Sequence, residues 1–249
     1  MFDIKTFSQP TIKNPVLIEG LPGIANVARI SVDLLVEKLG AQKMYEIYSH
    51  HFPAFVMIED DSTITLPKID VYHVRAGERD LILVVGDVQA ADEYNYALCE
   101  KIIELTQPKE IITIGGMALL EAKPRVHGVV TTPELKTKLE PYSLVFDGND
   151  TVSLVVGAAG IFLGLAKNKN IPGFGLLVET DASPTHFGIK AAKGVLEILA
   201  KHLALDLDLS NIENDIALYE KEIGKRAKRE DEIRDYMLQH SDTDNRYIG

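Results

Sequence analysis

The chain has 249 residues, 46% of them apolar, which is enough for one large domain or two small ones with a sizeable core. A formal net charge of −11, with no basic-aromatic stripe, argues against a nucleic-acid groove, which needs clustered Lys and Arg. One cysteine, Cys99, rules out an internal disulfide; with a polar, acidic start and no apolar run near the ~20 residues of a membrane span, the expectation is a cytoplasmic protein without a membrane partner.

Residues 1–14 read as an entry segment with a short edge strand around Ile4. The stretch 15–40 is the one around which the chain is organised. Val16, Leu17 and Ile18 form an apolar run, and Gly20, Pro22 and Gly23 make a turn. Val27, Ile30, Leu34, Leu35 and Leu39 then recur at helical spacing until Gly40, a helix stop. Strand, glycine turn and helix together open a parallel α/β sheet. Residues 44–48, 54–58, 64–66 and 69–74 are short strand patterns separated by turns, which predicts an antiparallel ribbon.

Residues 80–85, DLILVV, are apolar throughout, as a strand buried on both faces requires. A helix over 92–106 comes next, with Leu98, Cys99, Ile102 and Leu105 inward. Residues 111–114 are the next buried strand, ending at Gly115-Gly116. Residues 126–130 read as a strand, Thr132-Pro133 as a helix start, and 157–167 as a small-residue helix. Residues 174–178 are a fourth buried strand, and 189–203 an amphipathic helix. Ser210 to Glu213 is a capping-box pattern. It predicts a charged helix to about residue 240, roughly 46 Å long, with apolar positions at Ile212, Ile216, Tyr219, Ile223, Ile233 and Met237, that packs along its first half or pairs weakly with a partner helix. The division expected is an α/β domain over 1–209 and a helix with a flexible tail over 210–249.

Four turns succeed the apolar strands: Glu19-Gly20, Gly86-Asp87, Gly115-Gly116 and Glu179-Thr180-Asp181. If strands 16–19, 81–85, 111–114 and 174–178 are parallel neighbours, all four turns lie at the edge where open α/β folds bind ligands. Glu19, Asp87, Gln89, Glu179 and Asp181 would then converge on one crevice, with Gly20, Gly23, Gly115 and Gly116 in its turns. The turn at 20–23 could present N–H groups to an anion at a helix start. It has neither the Gly-Lys-Ser/Thr ending of a P-loop nor G-x-G-x-x-G, so sharp turning against neighbouring backbone is the simpler reading. Three carboxylates without a nearby Lys or Arg predict no tight nucleotide binding. No metal set and no G-x-S-x-G occur, and Cys99 and the scattered histidines read as packed or surface residues; no cofactor is expected.

The ordered set Gly20-Leu-Pro-Gly-Ile-Ala-Asn-Val, His51-Phe-Pro, Gly86-Asp87-x-Gln89, Ile114-Gly-Gly-Met, Pro124-Arg-Val-His-Gly, Gly157-Ala-Ala-Gly-Ile-Phe-Leu-Gly-Leu and Glu179-Thr180 resembles the archaeal proteasome-assembly-chaperone family. The resemblance covers about residues 15–203. It implies a phosphorylase-like three-layer α/β fold with a mainly parallel central sheet, self-association into a homo-oligomer, and a non-enzymatic role with proteasome subunits as partners. Members that act on the proteasome end in a hydrophobic residue, Tyr and one further residue. Here Tyr247 is third from the end, before Ile248 and Gly249, so the tail departs from that pattern. Tyr247, Ile248 and Gly249 are the partner-binding candidates. Two functions stay open. One is an oligomeric chaperone or adaptor, favoured by the long charged helix and the lack of a nucleophile, metal set or phosphate loop. The other is a nucleoside- or phosphate-directed enzyme or binder, favoured by the clustered carboxylates.

Overall fold

The computed structural model describes residues 2–119, 122–123, 125–148, 150–181 and 189–218. In chain order these form β1 (Phe2–Thr6), β2 (Val16–Gly20), α1 (Val27–Lys38), β3 (Gln42–Ser49), β4 (Met57–Ile58), β5 (Ile64–Thr65), β6 (Ile69–Ala76) and β7 (Arg79–Gly86). Then come α2 (Asp92–Thr106), β8 (Glu110–Leu119), β9 (Val126–Val130), α3 (Pro133–Leu139), α4 (Ala158–Asn168), β10 (Gly173–Asp181) and α5 (Ile189–Leu203). Expectations for the helix beyond residue 218, for Tyr219, Ile223 and for Tyr247, Ile248 and Gly249 fall outside the described residues.

Eight strands make one sheet in the order β1-β3-β6-β7-β2-β8-β10-β9. The four apolar strands are its centre and run parallel: β7 with β2, β2 with β8, β8 with β10. β6, β3 and β1 extend one side as an antiparallel ribbon, and β9 closes the other antiparallel to β10. The small β4–β5 pair stands apart.

The unbroken apolar character of the central strands has a direct cause, since each is covered on both faces. Val16 and Ile18 join a core with α1 and α5, while Leu17, between them, joins a second core with α2 and α4. Alternation of side chains along β2 thus sends one set into each layer. The inward stripe of α2 is the one its spacing predicts: Leu98, Cys99 and Ile102 are buried in the second core.

β8 is longer than expected. It continues through Gly115 and Gly116 to Leu119 because β10 pairs with it along its length, from Ile111↔Gly173 to Leu119↔Asp181. Glycines that would punctuate an isolated strand are carried by a neighbour's ladder. Residues 212–218 are helical, and Ile212 and Ile216 are buried in the α1/α5 core. Lys38–Asp215 at 2.6 Å and Lys193–Glu213 at 2.7 Å flank them.

The strand-turn-helix unit closes tightly at Gly20. A Cβ there would lie 2.4 Å from the Val32 Cβ and 3.1 Å from the Ala28 carbonyl oxygen. α1 can rest on β2 only because this position has no side chain. Gly20→Ala is expected to lower stability by about 1–3 kcal/mol through overpacking. Urea unfolding should show a lower midpoint; an unchanged midpoint would show that α1 has room to move away.

Candidate functional site

Where adjacent parallel strands send their connections to opposite faces, their carboxyl ends open a crevice. β2 leads into α1 on one face and its neighbour β7 leads into α2 on the other. A cleft of about 1180 Å³ lies there. Its floor is the ends of β2 and β8. Leu21 to Ile24, Phe55, Asp87 to Ala90 and residues 151–157 are its walls.

Of the residues the sequence singled out, Glu19, Gly23, Asp87, Gln89, Gly115 and Gly116 line this cleft. Gly20 does not, because it faces α1. Glu179 does not either, and this corrects the expectation of a shared crevice. Its carboxylate is turned to the β9 edge, where it accepts from Lys123 N at 2.7 Å and meets His127 Nε2 at 2.9 Å and Arg125 Nη2 at 2.7 Å. Burial pushes its pKa up, but those partners outweigh burial and hold it below the usual carboxylate range. The side chain of Asp181 is outside the described residues.

The turn after β2 is held from three sides. A Cβ on Gly116 would come 2.4 Å from the Ile24 carbonyl oxygen, so the turn sits directly on β8. Gln89 donates from Nε2 to the Pro22 carbonyl at 2.6 Å and accepts through Oε1 from Ala158 N at 3.0 Å. It thereby ties the β2 turn to the start of α4. Ala25 and Asn26 take left-handed backbone, φ 54° and 50°, just before α1. Close packing of the turn accounts for Gly20 and Gly116 but not for Gly23, which has extended backbone, φ −158°, and nothing within 4 Å of a Cβ.

Asp87 is not free. Its Oδ1 meets Arg29 Nη2 at 3.3 Å and its Oδ2 accepts from Lys68 N at 3.2 Å. Arg29 also donates to the Gly86 carbonyl and pairs with Asp33 at 3.1 Å. The sequence reading of carboxylates without a nearby cation therefore fails for Asp87 and Glu179, whose cations come from α1 and from beside β9.

Glu19 is the exception. It is 1% exposed, and Oε1 accepts from Leu21 N at 2.9 Å. Oε2 has no partner among the described residues. Burial pushes its pKa up to about 7, against the pull of backbone hydrogen bonds at Leu21 and Ile114. Among the described residues, the lining includes no Lys, Arg or His.

Asn95, on α2, also lines the cleft; it is 2% exposed, and its Oδ1 is unpartnered among the described residues. Sequence reasoning missed it, although it lies three and four residues before Leu98 and Cys99, on the buried stripe of α2. A polar residue on such a stripe was the available signal. The wall at 151–157 had no comparable signal.

Cys99 is buried beneath this floor, and both burial and the Glu19 charge push its thiol up, the reverse of an activated nucleophile. His51 stacks on Tyr94, and His73 and His202 pair with Asp80 and Glu110. Among the described residues, no three His, Cys, Asp or Glu side chains are grouped so as to hold a metal, and no helix is long and apolar enough to cross a membrane.

The model of the PAC2 family matches residues 17–227. An uncharacterized protein of Methanocaldococcus jannaschii is 32% identical over 249 aligned residues, covering 96% of this chain and 93% of its own. The crystal structure of Pyrococcus furiosus PbaB, described as an archaeal proteasome activator, superposes with a TM-score of 0.80 at 31% identity, covering 91% of this chain and 98% of that one. Pyrococcus furiosus PbaA, described as an archaeal homolog of proteasome-assembly chaperone, gives 0.74 at 21% identity, covering 94% and 100%. At that identity the likeness shows the fold.

Glu19 generates a pH prediction. Its folded pKa of about 7 lies above the ordinary 4.5. Below 4.5 the carboxyl is protonated folded or unfolded and costs nothing. Between 4.5 and 7 the folded state holds a proton that the unfolded state has released, so stability falls as pH rises. Above 7 the full cost stands, about 3 kcal/mol by the linkage of pKa to free energy. Glu19→Gln, whose amide oxygen still accepts from Leu21 N, should gain on the parent progressively from pH 4.5 to pH 8. Urea titrations at several pH values check this. A difference that does not change with pH would remove Glu19 as the titrating group.

Proposed function

The chain belongs to the PAC2 family, and on that premise we propose that it is a non-enzymatic, homo-oligomeric chaperone or adaptor whose partners are proteasome α subunits. The observation that carries this reading is the 31% identity to PbaB over nearly the whole of both chains. The surface supports it. On the β4–β5 ribbon, Ile58 and Ile64 face each other across the strands, 68% and 67% exposed, with Val56 and Leu66 exposed beside them. Four large exposed apolar side chains on and beside one small ribbon form the kind of patch that association covers. The cleft adds no sign of catalysis, since its one cysteine neighbour is buried and deactivated and its Asp87 is tied to Arg29.

Residues 241–249 are the proposed docking segment, with Tyr247 and Ile248 as anchors and Gly249 after them. A short polar segment of this kind inserts one or two side chains into a partner, with the entropy of ordering limiting affinity. A second reading, a small-molecule binder, is favoured by one observation, the unpaired Glu19 in the cleft.

Sedimentation at micromolar concentration should show an oligomer. Replacing Ile58 and Ile64 together by Asp should release monomers, because two charges in an apolar interface are costly to bury. A parent protein that sediments as a monomer would count against the chaperone reading. Separately, purified proteasome α subunits should retain the parent in a pulldown. Deletion of residues 241–249 and Tyr247→Ala should each weaken that retention about tenfold, as loss of an aromatic anchor does. Equal retention of all three would move the contact to the α/β body; no retention of the parent would end the proteasome reading.

A further inference from the structure

We propose that the cleft at the carboxyl edge of the sheet binds a small organic amine, its apolar part against the cleft walls and its ammonium group on Glu19 and Asn95.

Three observations on the same cleft carry this. First, Glu19 and Asn95 are lining residues of the cleft, and Glu19 Oε2 and Asn95 Oδ1 are buried with no hydrogen-bond partner among the described residues. Buried polar atoms without partners are rare in folded proteins, and each one calls for an explanation. Both are oxygens, so what completes them is a donor. Second, the described residues of the lining include no cation. Asp87 has Arg29, and Glu179, outside the cleft, has Arg125; Glu19 has only backbone N–H groups. An ionised carboxylate buried without a counter-charge is unfavourable, and a ligand ammonium would supply both the charge and the donors. Third, the walls are apolar: Leu21, Pro22, Phe55, Val88, Val155 and Leu177 surround that polar floor. A concave apolar site with a few convergent polar groups is the usual form of a small-molecule site, and its volume of about 1180 Å³ suffices for a small organic molecule.

The electrostatics exclude the opposite ligand. A carboxylate or phosphate would face Glu19, with no lysine or arginine among the described lining residues and Arg29 already engaged by Asp87. In the turn at 20–23, Leu21 N is already used by Glu19 Oε1 and Pro22 has no N–H to offer. A neutral alcohol would satisfy one oxygen and leave the charge unpaired. This inference does not rest on the proteasome reading, and either can fail alone.

The test uses three probes with one chain and three heads: n-hexylamine, 1-hexanol and hexanoate. Each is titrated at pH 7.5 into the full-length isotope-labelled protein, following the methyl signals of Leu21, Val88 and Leu177. Hexylamine is expected to bind about tenfold more tightly than hexanol, the range of a hydrogen bond to a charged group, with hexanoate weakest. Glu19→Gln should abolish the preference, leaving hexylamine and hexanol alike. Asn95→Ala, which leaves the carboxylate in place, should weaken hexylamine several-fold, the cost of one lost hydrogen bond. A protonated Glu19 that donates within the cleft would satisfy its own oxygen, and then hexylamine would bind no better than hexanol. That result, a preference that survives Glu19→Gln, or no binding by any probe overturns the proposal.

Discussion

The turn after β2 can sit over the sheet only because Gly116 has no side chain. With a Cβ at that position, 2.4 Å from the Ile24 carbonyl oxygen, the turn would have to lift off β8. The rest of the cleft depends on this contact. Seated there, the turn presents the Pro22 carbonyl to Gln89, and Gln89 holds Ala158 N at the first residue of α4. Gly157, with φ +78° and Gln89 Oε1 2.8 Å from where its Cβ would be, lets the chain enter α4 against that amide. One side chain therefore links the ends of β2 and β7 with the helix on the far wall. The site is a consequence of backbones packed closely at a few points, with the enclosed space left over.

The central sheet could be read from residue patterns because its cause is local. A strand covered on both faces has to be apolar at every position, and residues 16–18, 81–85, 111–114 and 174–178 are. Parallel order then follows from the helices between them, and with it the edge at which the turns gather. The site was readable only in part because its decisive features are pairings between distant segments. Glu179 lies on β10 next to Leu177 on the same side of the strand, and Leu177 lines the cleft while Glu179 does not. What separates them is β9, which brings His127 opposite Leu177 in register and within 2.9 Å of Glu179. Nothing in the residues around 179 specifies that neighbour. The length of β8 was hidden for the same reason, since its glycines are held by the partner strand.

Asp87, Glu179 and Glu19, alike as acidic residues at strand ends, have three different electrostatic situations. Asp87 is neutralised by Arg29, 58 positions away along the chain. Glu179 is held ionised by Arg125, His127 and a backbone N–H. Glu19 has the backbone alone. Composition and turn chemistry are similar at all three, so the difference lies entirely in which helix or loop the fold lays beside each strand end. An acidic edge read from sequence is thus an incomplete description; the cations that decide its chemistry come from elsewhere.

What the fold uses at position 19 is an acceptor for backbone N–H groups, Leu21 N on Oε1 and the Ile114 backbone beside it. An amide oxygen meets that requirement without charge. The negative charge is therefore not used by the fold, and burial makes it costly as the pH passes 7. Asn95 repeats the pattern on α2, where a small apolar residue would continue the stripe of Leu98, Cys99 and Ile102. Two unsatisfied acceptors on different elements, α2 and β2, face one apolar cleft, and neither is explained by packing. The exposed apolar side chains on the β4–β5 ribbon do not explain them either, because none of them lines the cleft. The two acceptors thus belong to the cleft, and what would satisfy them is a donor, best a positively charged one.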